Sequence, residues 1–211
     1  MKALFTIFVL LLTGSVLAQE LPTTYTFKTK NYKPGKGYRI QYEFKGNEQV
    51  ITFAGELLSG VVQDHTGIKE VEALLRQDVP ILLILYSRGG FLKVFDAFGR
   101  SLKAACDSSR SDCLITTRLW GSSLCASACV HFFMLGDKRI AGRNAKMGFH
   151  KAAIIPGLIS LGGYAENELL KRGVNPEWIE KNIHLFETRK ESTIEAHLLQ
   201  DSGMFTEIVE Y

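Results

Sequence analysis

Residues 79–87 read VPILLILYS, an apolar run of strand length. Such a run suits a strand covered on both faces, as in a parallel sheet lying under helices. The next stretch, FLKVFDAFGRSLKAAC, is helical, with Leu92, Phe95, Phe98 and Leu102 on one stripe. The alternation continues along the chain. QVITFAGEL reads as a strand running into a turn at Gly60. DHTGIKEVEALLRQ reads as a helix, with Ile68, Val71, Leu74 and Leu75 at helical spacing. CLITTRLW is a strand, ASACVHFFMLGD a helix, and KRIAGRNAKMGFH short strands and turns. NPEWIEKNIHLFETRKES is helical, with Asn175 as N-cap before Pro176. TIEAHLLQDSG and MFTEIVEY close with a helix, a glycine stop and a strand. Strand–helix alternation repeated this often predicts an α/β layered fold. No internal repeat or linker interrupts it, so residues 48–211 are expected to form one domain. Residues 19–47 are read as an N-terminal extension, with YRIQYEF alternating as an edge strand.

The N-terminus, MKALFTIFVLLLTGSVLAQE, carries one lysine, an apolar run from Ala3 to Leu12 and small residues up to Ala18. This is the pattern of a secretory signal at residues 1–18, cleaved after Ala18. The run is shorter than the ~20 residues a spanning helix needs, so no stable membrane anchor is expected. Removing 18 of the 211 residues leaves 193, enough for one domain with a sizeable core. It also removes Lys2, so the formal charge of +3 becomes +2. That excess is too mild for a nucleic-acid partner, which needs a concentrated basic face. The expected location is the periplasm or the exterior.

Four cysteines in an exported chain are read as disulfides. Proximity favours Cys106 with Cys113, closing CDSSRSDC, and Cys125 with Cys129, closing CASAC; two other connectivities remain open. C-x6-C followed by C-x3-C matches no common zinc pattern, so no metal is expected, and no cofactor is called for.

Chemistry is suggested at three strand–helix junctions. At the first, Ser87 ends the apolar strand and Gly89-Gly90 open the next helix. Paired glycines turn tightly and bare their amides, although a plain turn uses them equally well. At the second, Ser127 starts a helix between Cys125 and Cys129. A serine there usually caps the helix, but a disulfide spaced i to i+4 would also hold its hydroxyl in one pose. At the third, His150 follows Gly148-Phe149 at the end of a short strand, where a neutral imidazole can serve as a base. His131 lies one turn after Ser127 and is read as packing within the helix; His65, His184 and His197 have no companion signal.

Strand–SRGG–helix, then strand–CASAC–helix, then a histidine 23 residues after the serine resembles the proteolytic subunit of the Clp protease. That subunit belongs to the ClpP/crotonase superfamily, built from repeated ββα units. More narrowly, CASAC followed by GDKRIAGRNAKMGFH is similar to secreted ClpP-like proteins of the periplasm. The resemblance covers about residues 48–211. It implies that Ser127 is the nucleophile and His150 the general base. The backbone N–H groups of Gly90 and Ala128 would form an oxyanion hole. Counting back from Gly203 puts Glu191 near the position of the third, acidic residue, with Asp201 and Glu187 as rivals. Two positions depart from the pattern: Arg88 replaces the proline of S-P-G-G, and Cys125 replaces a glycine.

The expected function is therefore a secreted serine hydrolase, first a peptidase, acting on a peptide or acyl substrate and forming a homo-oligomer as the superfamily does. Two alternatives stand: a catalytically silent binding or assembly protein of the same fold, and an esterase or thioesterase. The apolar stretch AAIIPGLISLGGY after His150 is read as a groove lining, a lid or a subunit contact.

Overall fold

The structure is a computed structural model that describes residues 24–28, 37–57, 65–107, 109, 112–151 and 164–210. The expected signal at 1–18, the turn at Gly60 and residues 152–163 lie outside the described residues.

In chain order the strands and helices begin with β1 (Thr24–Lys28), β2 (Tyr38–Lys45), β3 (Glu48–Leu57), α1 (Thr66–Leu74), β4 (Ile81–Gly90) and α2 (Leu92–Ala105). Next come β5 (Ile115–Leu119), β6 (Leu124–Ala126), α3 (Ala128–Phe133), β7 (Lys138–Gly142) and β8 (Lys146–Phe149). The C-terminal part holds α4 (Tyr164–Lys171), α5 (Pro176–Lys181), α6 (His184–Glu187), β9 (Ser192–Glu195), a 3-10 helix (Ala196–Ser202) and β10 (Glu207–Val209). The main sheet runs β1-β2-β3-β4-β5-β7-β10, antiparallel for the first two pairings and parallel from β3 onward.

A second layer of pairing leaves this sheet at β4. The first half of β4 pairs β5 from Ile81 to Ile84, while Ser87 near its end pairs Cys125 of β6. β6 in turn pairs β8 in parallel, and β8 pairs β9 antiparallel. One long strand thus serves two sheets. Its neighbour β3 breaks register between Ala54 and Glu56, a bulge that bends β3 alongside it.

Four sequence readings change. YRIQYEF is not an edge: β1 pairs along it, and Tyr38, Ile40 and Tyr42 are fully or almost fully buried. β4 is not covered equally on both faces. Ile81, Leu83 and Leu85 are fully buried, Leu82 and Ile84 are half-buried, and Tyr86 and Arg88 are exposed. NPEWIEKNIHLFETRKES breaks into α5 and α6 around Asn182 and Ile183; Asn175 Oδ1 does cap, accepting from Glu177 N at 2.9 Å. TIE, read as helix, belongs to strand β9, because β8 offers it a free edge; the 3-10 helix begins only at Ala196 and stops at left-handed Gly203.

The helices cover the sheet through aromatic contacts. Phe53 of β3 meets Phe95 of α2 at 5.5 Å between ring centres, and Phe95 meets Phe132 of α3 at 5.0 Å. Both pairs tie α3 to the core. Thr117 of β5 donates its hydroxyl to Phe133 O at 2.7 Å, satisfying the far end of α3. Two disulfides, Cys106–Cys113 and Cys125–Cys129, close the loops that proximity favoured. Among the described residues no helix is long and apolar enough to cross a membrane.

His131 of α3 is 9% exposed, beside Arg172 and Glu168. Burial lowers its pKa from the usual 6.5 to about 4; the Arg172 guanidinium adds to this and the Glu168 carboxylate opposes it. An unfolded chain therefore binds a proton that the folded chain refuses. This contribution to stability is complete above pH 6.5 and is lost as pH falls toward 4, by about 3 kcal/mol. Urea unfolding at pH 7 and pH 4 is expected to show a smaller loss, by roughly that amount, in His131→Leu than in the wild type.

Candidate active site

β4, β6 and β8 lie side by side and parallel, with Ser87 level with Cys125 and Cys125 level with Met147. Their carboxyl ends therefore deliver three segments to one edge: Gly89-Gly90, Ser127 and His150. Sites in parallel α/β sheets form at such ends.

Ser127 lies between β6 and α3. Its amide donates to Gly148 O at 2.9 Å, continuing the β6–β8 ladder, and its carbonyl accepts from Val130 N at 2.9 Å, opening the helix. Between those bonds its backbone takes φ 56° and ψ −127°. A non-glycine residue there costs roughly 1–3 kcal/mol and persists only where its surroundings enforce it. The hydroxyl makes no capping bond, so the helix-cap reading of this serine fails on geometry. Cys125 and Cys129 clamp the turn from either side, with Cα atoms 5.2 Å apart and no exposure.

Glycine makes the crowding possible. A Cβ on Gly89 would sit 2.4 Å from Ala126 O and 2.9 Å from both Ala128 N and Ser127 Cβ. A Cβ on Gly148 would sit 2.5 Å from Ala126 Cβ. Gly90, at φ 129°, has Leu57 O 2.0 Å from the place of a Cβ. Ser87, which the sequence reading treated only as the end of a strand, organises this turn. Its buried hydroxyl donates to Gly55 O at 2.6 Å and accepts from Gly89 N at 2.9 Å. Phe91 N donates to Leu57 O. The amide of Gly90 thus lies between two that are already engaged.

His150 is half-buried, and its Nδ1 lies 2.7 Å from Lys151 O. A carbonyl has no proton to give, so Nδ1 is the donor, and the neutral ring keeps its lone pair on Nε2. Lys151 N is bound to Thr188 O at 2.6 Å, which fixes the turn carrying the imidazole. Among the described residues, Ser127 and His150 make no hydrogen bond to each other.

Glu191 comes to the same edge, where it meets Arg88. Its Cδ is 3.4 Å from the place of a Cβ on Gly148. Its carboxylate takes an ion pair from Arg88 at 3.4 Å, and Arg88 also reaches Glu56 at 4.0 Å. It shares no hydrogen bond with His150, whose Nδ1 is occupied by a backbone carbonyl. Asp201 and Glu187 are exposed, on the 3-10 helix and at the end of α6. Arg88, which precedes Gly89, is 63% exposed at the lip of the site, and its partner Glu191 lies beside Gly148. Among the described residues no three His, Cys, Asp or Glu side chains group to hold a metal ion.

No family model and no curated protein sequence matches the chain. Solved structures do. The ClpP protease catalytic domain from Plasmodium falciparum superposes with a TM-score of 0.53 at 16% identity, covering 78% of this chain and 86% of that one. The chain has the fold of a ClpP protease catalytic domain. An Asn-to-Asp variant of ClpP1 from Listeria monocytogenes gives a TM-score of 0.49 at 18% identity, over 77% of this chain and 91% of that one. Within this ClpP fold, the α/β architecture expected from the strand–helix alternation is what the residues build.

The strain at Ser127 has a measurable consequence. Glycine accepts φ 56° without a Cβ clash, whereas alanine keeps the clash and equally lacks the hydroxyl. Ser127→Gly is expected to be more stable than Ser127→Ala by about 1 kcal/mol, read from urea midpoints at constant m.

Proposed function

We propose that this chain is a serine hydrolase, and first a peptidase, with Ser127 as nucleophile and His150 as general base. One observation carries the reading: the strained backbone of Ser127, which presents a hydroxyl that caps nothing. Strain of this kind clusters at functional sites. The ClpP fold and the three converging strand ends support the same assignment.

The chemistry follows from the tautomer. With Nδ1–H held by Lys151 O, Nε2 of His150 accepts the Ser127 proton as Oγ attacks the carbonyl carbon of a peptide or acyl substrate. The amides of Gly90 and Ala128 receive the resulting oxyanion, each donor being worth about 3 kcal/mol of barrier. Collapse expels the leaving group, which takes the proton from His150. Water then attacks the acyl-enzyme, returns a proton through His150, releases the acid and restores Ser127. Glu191 enters this reading as the residue that holds Arg88 at the site, the Lys151 carbonyl having taken the place beside Nδ1.

The proposal includes export through the signal at 1–18 to the periplasm or the exterior. Two disulfides fit an oxidising compartment. It also includes assembly into a homo-oligomer, as the family resemblance implies. A second reading, a catalytically silent binding protein of the same fold, draws on the unmade Ser127–His150 bond. Sites without substrate often leave that bond long.

A fluorophosphonate probe separates the two. It is expected to label the wild type at Ser127 and leave Ser127→Ala unlabelled. His150→Ala should label about 100- to 10,000-fold more slowly, and Glu191→Gln close to the wild-type rate. Equal labelling of wild type and Ser127→Ala would remove the nucleophile assignment, and a wholly unreactive wild type would favour the binding protein. A peptide-library digest then tells a peptidase from an esterase.

A further inference from the structure

A cavity of about 300 Å³ opens where α2, α3 and the end of α4 meet. None of the residues assigned to hydrolysis lines it. We propose that this cavity binds a small monoanionic carboxylate with an aromatic or aliphatic body.

The cavity has a polar end. His131 Nδ1 and Arg172 Nε belong to lining residues, are shut off from solvent and have no hydrogen-bond partner. Buried polar atoms without partners are rare in native proteins, and each calls for an explanation. A carboxylate pairs with the Arg172 guanidinium in the planar geometry guanidinium prefers, through the terminal nitrogens, Nε itself being closed off. Its second oxygen can accept from His131 once the neutral imidazole carries its proton on Nε2, the ring nitrogen that is not closed off.

Charge points the same way. Lys103 is neutralised by Asp137 at 3.0 Å, and Glu168 by Lys171 at 2.7 Å. The formal charges left on the lining are those of Arg100, Arg172 and Asp96, an excess of one positive. Burial raises the Asp96 carboxyl, against the Arg172 and Arg100 guanidiniums beside it.

The other wall is apolar. Phe95, Phe132 and Leu135 face the same space, so a bare inorganic anion would leave half of the cavity unfilled. Gly99 keeps that wall open. It sits inside α2, where glycine is a poor helix former, and a Cβ there would meet nothing closer than Leu135 Cδ2 at 3.4 Å. The helix thus forgoes a side chain it has room for, and the cavity gains the space. The volume lies at the small end of ligand pockets, about 300–1,000 Å³.

The test uses phenylacetate as probe, titrated into the full mature chain by calorimetry, with histidine nitrogen NMR as a second readout. Expected are saturable one-to-one binding, a raised Tm and a shifted His131 ring signal. Phenylacetamide and inorganic phosphate should each bind more weakly by about tenfold or more, the first for want of charge and the second for want of a body. Arg172→Gln, at the rim of α4, should keep the unliganded Tm and lose about tenfold or more in affinity. Gly99→Ala, which favours the helix, should raise the unliganded Tm and weaken binding. Arg143→Gln, outside the cavity, should bind as the wild type does. The proposal is overturned if neither phenylacetate nor hexanoate binds saturably, if phenylacetamide binds as well as phenylacetate, or if both Arg172→Gln and Gly99→Ala bind with unchanged affinity. Each readout is binding, so hydrolytic activity, present or absent, does not enter the outcome.

Discussion

Ala126 and Ser127 run between Gly89 on one side and Gly148 on the other. Neither flank has room for a single added carbon: the gaps are 2.4 Å to Ala126 O and 2.5 Å to Ala126 Cβ. This close approach of three backbones is the constraint on which the site depends. It lets β6 be only three residues long and still pair on both edges. It brings Ser127 into an orientation that an isolated turn would abandon, because the surrounding main chain leaves no alternative path. Larger residues at either glycine would push β6 out of the layer and separate Ser127 from the strand ends beside it.

The same constraint explains why β4 is long and divided. A strand that pairs β5 with its first half and β6 with its last must twist strongly along its length. The bulge at Gly55 and the hydroxyl of Ser87 accommodate that twist together. Ser87 accepts from the Gly89 amide and donates to the Gly55 carbonyl, so one buried side chain joins the bend in β3 to the glycine turn. Arg88, next in sequence, points outward on the opposite face and meets Glu191 there. Neighbouring residues of one strand thus hold the floor and the lip of the site, as the period of two along a strand requires.

Much of this was legible in the sequence, for reasons that can be named. The apolar run at 79–87 announces a core strand because few other environments tolerate it. The stripe of Phe95, Phe98 and Leu102 announces a helix because only one face needs burial, and all three are buried. What stayed hidden depends on partners far along the chain. Arg88 and Glu191 are 103 residues apart, so no local pattern joins them. Thr193 and Ile194 sit in a segment of helical composition that becomes strand because β8 has an edge to offer. Tyr25 and Phe27 alternate as a strand would, but the lysine-rich stretch around them reads only as an N-terminal extension. The Lys151 carbonyl on His150 Nδ1 is a backbone contact, and side-chain patterns carry no record of such contacts.

α3 joins the strained turn to the cavity. It is six residues long, too short to stand by its own hydrogen bonds. Its beginning is fixed by the Cys125–Cys129 bond and the glycine flanks, and its end by Thr117 on Phe133 O. Phe132 is held by Phe95 and Phe98 of α2. That leaves His131 as the one polar side chain in the helix, turned toward Arg172 and the cavity with Nδ1 unbonded. A helix so firmly anchored elsewhere has little freedom to turn His131 toward water. The unsatisfied nitrogen is therefore a fixed feature of the fold, set by the same anchors that hold Ser127 in its strained pose.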